Sequence, residues 1–452
     1  MSGQVTSGPG GRILTNCNVW SPDGEWIVYD TRSDTYGTDF DGTRIETVHV
    51  DSGDVRVLYE SRNGACCGVA TFSPTRPEVV FILGPEYPTP DWEYGSTHRQ
   101  GVLVEIDGRG IARNLDARDL TPPGTPGALR GGSHVHVFSP DGAWISFTYN
   151  DAILANFSEA TEINDVDQRN VAVGVLDKPV EVSPGHPRNA SGTFFAVLAT
   201  RTCSHPRPGS DDILVAQEEG WIGANGYVRA DGTRQSRALA FGGTVLATDG
   251  SPLTEVFVAD LPDDITRPSP DGPLQGTPTR RPTPPFGTVQ RRITHTEGRK
   301  FPGLAPPRHW LRGSPDGTEI AFLMRDDEGI VQIWAVSPNG GSPRPVTRGP
   351  WGVASAFTFS PDGLWVAYAA DNSVFTVEFT TGRSRRLTPR ASDADAPLPL
   401  AVVFSPDGAR IAYLRNVADN GADRSRSNQI FVVASGLPGT FGTRDSMVPK
   451  DV

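Results

Sequence analysis

The chain has only four cysteines in 452 residues, and no two of them stand in a Cys-x-x-Cys spacing. This excludes a disulfide framework and gives no support for a structural zinc site. No apolar run reaches the ~18 residues that a membrane-spanning helix needs. Residues 1–11 lack a basic segment followed by an apolar core, so no signal peptide is expected. These absences predict a cytoplasmic protein, or a periplasmic or secreted one if a leader has been removed.

Positive charge is also scarce, since 41 Lys and Arg stand against 53 Asp and Glu and the formal net charge is −12. So acidic a chain argues against nucleic acid as a partner. The sequence contains neither a Gly-x-Ser-x-Gly nucleophile elbow nor a phosphate-binding loop. We therefore expect a small-molecule ligand, with no nucleic acid and no membrane as partner; the sequence does not predict an oligomeric state.

The chain does contain five copies of the tetrapeptide Ser-Pro-Asp-Gly between short apolar runs, together with one degenerate copy. These copies begin at Ser21, Ser139, Ser314, Ser360 and Ser405, and the degenerate copy begins at Ser73; a further Ser-Pro-Asp-Gly, at Ser269, lies in a segment that is poor in apolar residues. Pro presets φ, Asp bonds its own backbone and Gly accepts a positive φ, so the tetrapeptide predicts a tight turn. The apolar runs on either side of the five copies and the degenerate one indicate β-hairpins. Hairpins repeated around the chain predict a β-propeller.

The predicted fold is all-β, a single β-propeller domain over residues 1–452 with eight blades of four antiparallel strands. Six blades carry the turn, and residues 186–200 and 237–247 supply two unmarked units; seven blades is the alternative if one of these is an insertion. Residues 12–15 resemble the fourth strands of other blades, so we expect an N-terminal strand to close the ring within the last blade.

Three segments are expected to be mobile. Residues 1–11 and 440–452 are predicted to be flexible termini. Residues 262–285 are rich in Pro and Thr and almost free of apolar side chains, which predicts a mobile excursion on the face opposite the functional loops.

Three long connections, 84–100, 150–170 and 201–227, are predicted in adjacent blades. Long loops on a rigid ring are where function concentrates. Their aromatic, basic, amide and acidic side chains are typical of a sugar-binding surface: Trp92, Tyr94, Asn150, Arg169, Glu218, Glu219 and Trp221. The alternative is that they are ordinary cap loops which pack their own aromatic residues.

Two histidines begin one predicted inner strand. His134 and His136 are two residues apart, and residues i and i+2 share a face of a strand. Both imidazoles are therefore expected to point toward one place near the central channel, as half of a metal site. His186 is predicted to begin the next inner strand at a similar depth. The alternative is that the pair is hydrogen-bonded within the inner strand.

The hairpin repeats resemble those of TolB-like propellers over nearly the whole chain, and segments 198–202 and 218–221 resemble an uncharacterised bacterial branch of them. Residues 134–142, His-Val-His-Val-Phe-Ser-Pro-Asp-Gly, are similar to the metal-binding strand of oligogalacturonate lyases. That strand reads Gln-x-x-His-x-His before the same turn; His134 and His136 match it, whereas Gly131 stands in place of Gln. The resemblance implies a divalent metal, manganese first, with calcium or zinc as alternatives.

The resemblance also implies a carbohydrate-active enzyme, a metal-assisted lyase that cleaves uronate-containing oligosaccharides by β-elimination. Elimination needs a cation to neutralise the carboxylate, a base and an acid. The resemblance assigns a metal to His134 and His136. By position in the chain, we expect His186 as a further ligand, assistance from Arg188 or Arg201, a base at His98 or His205, and an acid at Tyr149 or Tyr94.

Two other functions stay open at this point. A glycoside hydrolase would use a pair of carboxylates, such as Glu218, Glu219, Asp165 or Asp167. A non-catalytic propeller would bind a peptide or protein in its channel, as TolB does, and the fold alone cannot distinguish these uses.

Overall fold

The computed structural model describes residues 3–34, 39–418 and 426–437. Within this part of the chain the secondary structure is almost entirely β, with two single-turn 3₁₀ helices at Leu154–Asn156 and Asp393–Asp395. No helix there is long and apolar enough to cross a membrane. The predicted flexible C-terminus, 440–452, lies outside the described residues.

The Ser-Pro-Asp-Gly turns form as their chemistry predicts. In the copy that begins at Ser139, the Gly142 N–H donates to the Ser139 carbonyl (2.8 Å) and Gly142 has a φ of 69°. The Ser139 hydroxyl donates to Asp141 (2.6 Å) and accepts from the Trp144 N–H (3.0 Å). Serine and aspartate therefore tie the turn to the first residue of the next strand, and a hairpin follows.

The described strands form seven four-stranded antiparallel sheets, the blades, each numbered from its innermost strand outward. Strand β1 (Gly3–Gln4) comes first in the chain. Blade 1 contains β2 (Gly11–Ile13), β3 (Trp26–Arg32), β4 (Arg44–His49) and β5 (Val55–Glu60); blade 2 contains β6 (Cys67–Phe72), β7 (Glu78–Leu83), β8 (Gln100–Glu105) and β9 (Ala112–Asn114); blade 3 contains β10 (Gly131–Phe138), β11 (Trp144–Asp151), β12 (Asn170–Val180) and β13 (Gly192–Leu198).

The remaining blades complete the ring. Blade 4 contains β14 (Val215–Trp221), then an inserted hairpin of β15 (Tyr227–Val228) and β16 (Arg234–Gln235), and β17 (Ala238–Leu246), β18 (Pro252–Asp260) and β19 (Val289–Arg292); blade 5 contains β20 (Arg312–Gly313), β21 (Ile320–Arg325), β22 (Val331–Val336) and β23 (Arg344–Pro345); blade 6 contains β24 (Thr358–Phe359), β25 (Trp365–Ala370), β26 (Ser373–Glu378) and β27 (Ser384–Arg386); blade 7 contains β28 (Pro397–Phe404), β29 (Arg410–Ala418) and β30 (Arg426–Ala434).

The predicted count of eight blades is wrong, and the alternative of seven holds. The unit at residues 186–200 is the outer strand of blade 3, because β13 pairs with β12. Its apolar run fits an outer strand equally well, since Phe194 is 0% exposed and packs in the core between blades 2 and 3. Residues 237–247 contain the second strand of blade 4, whose inner strand β14 lies within the predicted long loop 201–227.

The fourth strand of blade 7 comes from the other end of the chain. Gly3 pairs with Val432 and Gln4 with Phe431, so β1 lies beside β30. The residues predicted for this role, 12–15, lie instead along the inner strand of blade 1, where Arg12 pairs with Thr31. Residues 3–11 were expected to be flexible, yet they are held by this pairing and by the Ile430 N–H, which donates to Thr6 (2.9 Å).

Apolar side chains from neighbouring blades interdigitate to form the core. One cluster joins blades 7 and 1 through residues such as Val403, Leu414 and Tyr29, so the last blade packs against the first. Others join blades 2 and 3, 3 and 4, and 5 and 6. Such packing fixes the inner strands, and side chains on the channel are therefore held on a rigid frame.

The Pro/Thr-rich segment 262–285 packs against the connection between β11 and β12, so it does not lie on the face predicted for it. The Asp165 N–H donates to the Thr279 carbonyl (2.8 Å), and the Arg281 N–H donates to the Asp165 carboxylate (3.0 Å). The guanidinium of Arg130, itself paired with Asp151 at 2.8 Å, donates to the Arg280 carbonyl (2.6 Å). Polar contacts therefore hold this segment, together with Ile265 and Leu274, whose side chains are buried in the core between blades 3 and 4.

Candidate active site at the mouth of the propeller

Three neighbouring inner strands carry the same backbone irregularity. In β6, β10 and β14 the pairing with the second strand shifts by a β-bulge, and a non-glycine residue in each bulge has a positive φ. These residues are Val69 (62°), Val135 (56°) and Glu218 (60°). A positive φ is a costly conformation for a β-branched residue, and such strain concentrates at functional sites. The bulges therefore mark blades 2–4 as the candidate functional side of the ring.

Each bulge turns the next side chain into the packing between blades. Ala70 is 1% exposed, and His136 and Glu219 are 0% exposed. His134 and Gln217, which precede the bulge residues, stay half-buried. The bulge in β10 therefore separates His134 from His136, which an unbroken strand would have placed on one face.

His136 is sealed between blades 2 and 3, so the predicted pair of imidazoles does not form. Its ring packs on Phe147 with 5.2 Å between centroids, and its Nε2 is 3.9 Å from Asp116 Oδ1, too far for a hydrogen bond. Neither ring nitrogen has a hydrogen-bond partner, and burial lowers the pKa of His136 to about 3. His136 is therefore a neutral packing residue.

The predicted metal site is not formed by these residues. His186 lies in the connection between β12 and β13, where its ring centroid is 6.5 Å from that of Trp92. Among the described residues, no three His, Cys, Asp or Glu side chains form a group that could hold a metal ion. The assignment of His134, His136 and His186 fails because a bulge separates the first two and the blade count misplaced the third.

Three arginines lie near enough to His134 for their charges to act on it. Arg99 directly precedes β8, Arg169 directly precedes β12, and Arg308 lies before β20. Connections from second to third strands and connections into inner strands open at the same end of an antiparallel meander. We call these arginines, with His134 and Glu218, the arginine mouth.

The arginine mouth keeps His134 neutral. Burial lowers the pKa of His134 well below its ordinary value, and the positive charges of Arg99, Arg308 and Arg169 lower it further. Its Nδ1 is buried without a hydrogen-bond partner. Nε2 makes no hydrogen bond to any described residue, so at neutral pH an unprotonated imidazole nitrogen is available in the mouth.

Arginine charge in the mouth is only partly compensated. Within the described residues, neither Arg99 nor Arg169 has a carboxylate at ion-pair distance: Arg99 donates to the Tyr94 hydroxyl (3.1 Å), and Arg169 reaches Asn150 and Gln217 at 3.5 Å each. Burial lowers the pKa of Arg169, and the charges of Arg308 and Arg99 add to that effect. Mutual repulsion of this kind favours the binding of an anion.

Glu218 is the one mouth carboxylate that pairs with an arginine. Arg308 Nε donates to Glu218 Oε1 (3.0 Å), while the Arg308 guanidinium lies 4.6 Å from the Trp310 ring centroid. The Glu218 side chain is 15% exposed. Burial raises its pKa, and the charges of Arg308 and Arg169 oppose that rise.

Tyr94 and Asn150, predicted to bind substrate, both lie beside these arginines. The Tyr94 ring stacks on Phe40 with 4.5 Å between centroids and an interplanar angle of 7°. Asn150 donates to Asp167 (2.8 Å), and that carboxylate also accepts from the Asp151 N–H (2.7 Å). These contacts position the two residues that touch Arg99 and Arg169.

Glu219 lies behind the mouth, between blades 3 and 4. Both of its carboxylate oxygens are buried without a hydrogen-bond partner, and burial raises its pKa to about 7. Nearby, Arg312 donates to the Asn16 carbonyl (2.7 Å) and side chain (2.6 Å), across the channel from blade 5 to blade 1. Glu219 was predicted to contact substrate, but with no exposure it cannot.

His98, Arg188 and Trp92 belong to one cluster that flanks the mouth. The His98 ring stacks on Trp92 with 3.8 Å between centroids, and its Nδ1 lies 2.9 Å from the Glu93 carbonyl. Arg188 donates to the Glu86 and Tyr87 carbonyls (2.7 and 2.8 Å). Chain carbonyls occupy the Arg188 guanidinium. The Glu93 carbonyl holds the proton of His98 on Nδ1 and leaves Nε2 as an acceptor, but His98 lies in this flanking cluster and is not among the groups whose charge acts on His134.

Arg201 lies at a separate cavity of about 310 Å³ between blades 3 and 4. The walls include Thr202, Cys203, Asp211, Thr288 and Gln290. Arg201 pairs with Asp271 (2.7 Å), and its backbone is held by Gln290 (2.9 Å). His205 is exposed and is not among the residues that line this cavity or surround His134. Neither joins the mouth.

Tyr149 and Trp221 are structural. Tyr149 is 2% exposed and its hydroxyl accepts from the Arg130 N–H (3.2 Å), so a role as proton donor to substrate is excluded by burial. Trp221 donates from its indole N–H to the Val137 carbonyl (3.1 Å) and packs against the core of blades 3 and 4. It links two inner strands and does not form a sugar-binding wall.

The sequence reasoning missed Arg99 and Arg308. A signal for Arg99 exists, because Arg99-Gln100 and Arg169-Asn170 place an arginine and an amide residue at the same position of neighbouring blades. Arg308 has no such signal, and the neighbouring His309 is structural, since it is 2% exposed and both its nitrogens bond to backbone groups.

These features define a seven-bladed β-propeller protein with an arginine-lined mouth. Comparison with known sequences shows the family to which it belongs. A family model described as "Protein of unknown function (DUF3748)" matches residues 66–190. The uncharacterized protein YidR of Escherichia coli K12 is 45% identical over 414 residues, which cover 91% of this chain and 94% of YidR. The chain therefore belongs to the YidR family.

Solved structures with this architecture include two oligogalacturonate lyases. One, in complex with manganese, is 10% identical with a TM-score of 0.54, over 96% of this chain and 92% of that chain. The other, from Vibrio parahaemolyticus, is 10% identical with a TM-score of 0.55, over 98% and 94%. The similarity to oligogalacturonate lyases that the sequence predicted is confirmed at the level of the propeller fold.

Proposed function

We propose that this protein is a carbohydrate-active lyase that binds uronate-containing oligosaccharides in the arginine mouth and cleaves them by β-elimination. The observation that carries the proposal is that Arg99 and Arg169 lack a carboxylate partner among the described residues and flank an imidazole that burial keeps neutral. Guanidinium groups bind carboxylates in a bidentate manner. The carboxylate of an acidic sugar would supply the negative charge that compensates these arginines.

The same groups fit the chemistry of elimination. Arg99 and Arg169 would neutralise the uronate carboxylate, which makes the adjacent C–H acidic. Nε2 of His134 would take that proton as general base in the tautomer that carries its own proton on Nδ1, because the ring is uncharged at neutral pH. The Tyr94 hydroxyl accepts from Arg99 (3.1 Å), so its own proton is free to go to the leaving oxygen.

A divalent metal, with manganese as first candidate, does not fit the residues of this mouth. His136 is sealed in packing, Gly131 has no side chain to offer, and no described group of three ligands surrounds His134. Three neighbouring guanidinium groups would also repel a cation. The arginines therefore take the neutralising role in the proposed reaction.

A glycoside hydrolase is less well supported. Glu218 faces the mouth while Glu219 is 0% exposed behind it, so the two carboxylates do not flank a common substrate position. Asp165 is engaged by Arg280 and Arg281. A hydrolase needs two carboxyl groups on either side of one bond.

The test is an assay for unsaturated products with short oligogalacturonates and other uronate oligosaccharides, with and without manganese. The wild type is expected to give the absorbance of the unsaturated product. Arg99→Gln and His134→Gln should each lower the rate by roughly 100-fold. Arg44→Gln is the matched control, because Arg44 pairs with Glu60 at 3.0 Å on the exposed edge of blade 1.

Each other outcome has a defined meaning. New reducing ends without the chromophore would favour the hydrolase, and binding without any product would favour a non-catalytic propeller. Full activity in Arg99→Gln, or no interaction with any uronate oligosaccharide, would overturn the proposal.

A further inference from the structure

Glu218 occupies an unusual position within the mouth. It is the residue of the β14 bulge, with a φ of 60°, and its side chain is 15% exposed. A glutamate has no intrinsic preference for this left-handed backbone, which glycine, asparagine and aspartate adopt more readily. The strained backbone therefore directs a carboxylate into a site whose other charges are positive.

The Glu218 carboxylate engages the arginine that is best placed for an outside ligand. The Arg308 side chain is 49% exposed, and its guanidinium is held between Glu218 at 3.0 Å and the Trp310 ring at 4.6 Å. Glu218 takes the Nε side of that guanidinium. A ligand carboxylate that binds the same guanidinium would be repelled by the negative charge of Glu218.

We propose that Glu218 is a built-in counter-ion. In the free protein it occupies the position on Arg308 that a carboxylate of the substrate takes when the substrate binds. The inference rests on the proposed function, since it requires an acidic ligand in the mouth. A ligand with one carboxylate can use Arg99 and Arg169, which have no carboxylate partner among the described residues. A ligand with several carboxylates can also displace Glu218, so the mouth selects chains over single uronate units.

The proposal predicts a gain of affinity on removal of a charge. Glu218→Gln keeps the shape of the side chain, and Glu218→Asn is the neutral change that best tolerates the left-handed backbone. Both should bind trigalacturonate about tenfold more tightly than the wild type at near-physiological ionic strength. Both should also widen the difference in affinity between trigalacturonate and galacturonate, because the single carboxylate of galacturonate is bound by Arg99 and Arg169 and does not compete with Glu218.

The matched control is Glu319→Gln. Glu319 pairs with Arg344 and is also partly buried, 24% exposed, but it lies beside the Ser-Pro-Asp-Gly turn at the opposite end of blade 5. This variant removes the same charge from the chain, so an equal gain of affinity there would mean that net charge alone is responsible. Isothermal titration calorimetry with trigalacturonate and galacturonate measures all four proteins, after thermal melts confirm that each is folded.

The outcomes separate this inference from the function on which it rests. If the wild type binds trigalacturonate and neither Glu218 variant binds it more tightly, Glu218 is not a competitor and the inference is wrong while the proposed function stands. If no form of the protein binds either probe, both fall. Binding that appears only in the Glu218 variants would support the counter-ion directly.

Discussion

Replacement of Glu219 by glutamine should stabilise the protein at alkaline pH and have a smaller effect at acidic pH. The carboxyl group is 0% exposed, and neither oxygen has a hydrogen-bond partner. Burial raises its pKa from an ordinary 4.5 to about 7, and the charge of Glu218 contributes in the same direction. A buried charge without partners destabilises the folded state, whereas a neutral amide has no charge to bury.

The sign and size follow from linkage between protonation and folding. A carboxyl whose pKa is raised on folding stabilises the folded state fully below pH 4.5, and this contribution is lost as the pH rises to about 7. The separation of the two pKa values corresponds to about 3 kcal/mol. Between pH 5.5 and pH 8, the stability of Glu219→Gln relative to wild type should therefore increase by about 2 kcal/mol.

Urea unfolding at pH 5.5 and pH 8 measures this difference, and Glu255→Gln is the matched control. Glu255 is also 0% exposed, but its carboxylate accepts from Arg292 (3.1 Å) and from the Thr296 N–H (2.6 Å) and hydroxyl (2.9 Å). Its loss should cost about 3 kcal/mol at both pH values. If Glu219→Gln destabilises the protein more at pH 8 than at pH 5.5, the Glu219 carboxylate has a stabilising partner and the reasoning is refuted.

Two further predictions concern packing and the Pro/Thr-rich segment. Gly101→Ala should lower the free energy of unfolding, measured in urea, by about 1–3 kcal/mol, because the added Cβ would overlap Asp116 and His136. Gly298→Ala is the control, since Gly298 has open space around it, and it should cost much less. Equal losses in the two variants would contradict this account. In the wild type, trypsin should cut after the loop residue Arg109, whose side chain is 66% exposed, well before it cuts after Arg280, which is paired with Asp165. Asp165→Ala should speed the cut after Arg280. Early cutting after Arg280 in the wild type would show that the Pro/Thr-rich segment is mobile.

The propeller could be predicted from the sequence because its turn is chemically self-sufficient. Ser139, Asp141 and Gly142 supply their own hydrogen bonds and backbone conformation, so the hairpin can be recognised without tertiary information. The number of blades could not be predicted from local sequence in the same way. The apolar run around Phe194 fits an inner, second or outer strand equally well, and only its pairing with β12 decides.

The metal site was predicted wrongly because a β-bulge has no local signature here. The spacing of His134 and His136 implies a shared face only if the strand is regular, and Val135 is among the least expected residues for a positive φ. The site was partly predictable: Arg169 and Glu218 of the arginine mouth, and Tyr94 and Asn150 beside it, came from the long loops. Arg308 lies in the connection into blade 5, next to blade 4, and that connection is not one of the three long loops that the sequence singled out.

The bulges and the mouth are two aspects of one specialisation. Bulge residues with positive φ in blades 2–4 are Val69, Val135 and Glu218, and two of the three residues that follow, His136 and Glu219, are buried with unpartnered polar atoms. Each of these features opposes stability. Their concentration in three adjacent blades, where the connections before β8 and β12 also end in arginine, is not what selection for a stable ring alone would produce. Strain, orphaned polar groups and uncompensated positive charge coincide where a negatively charged ligand would complete the site.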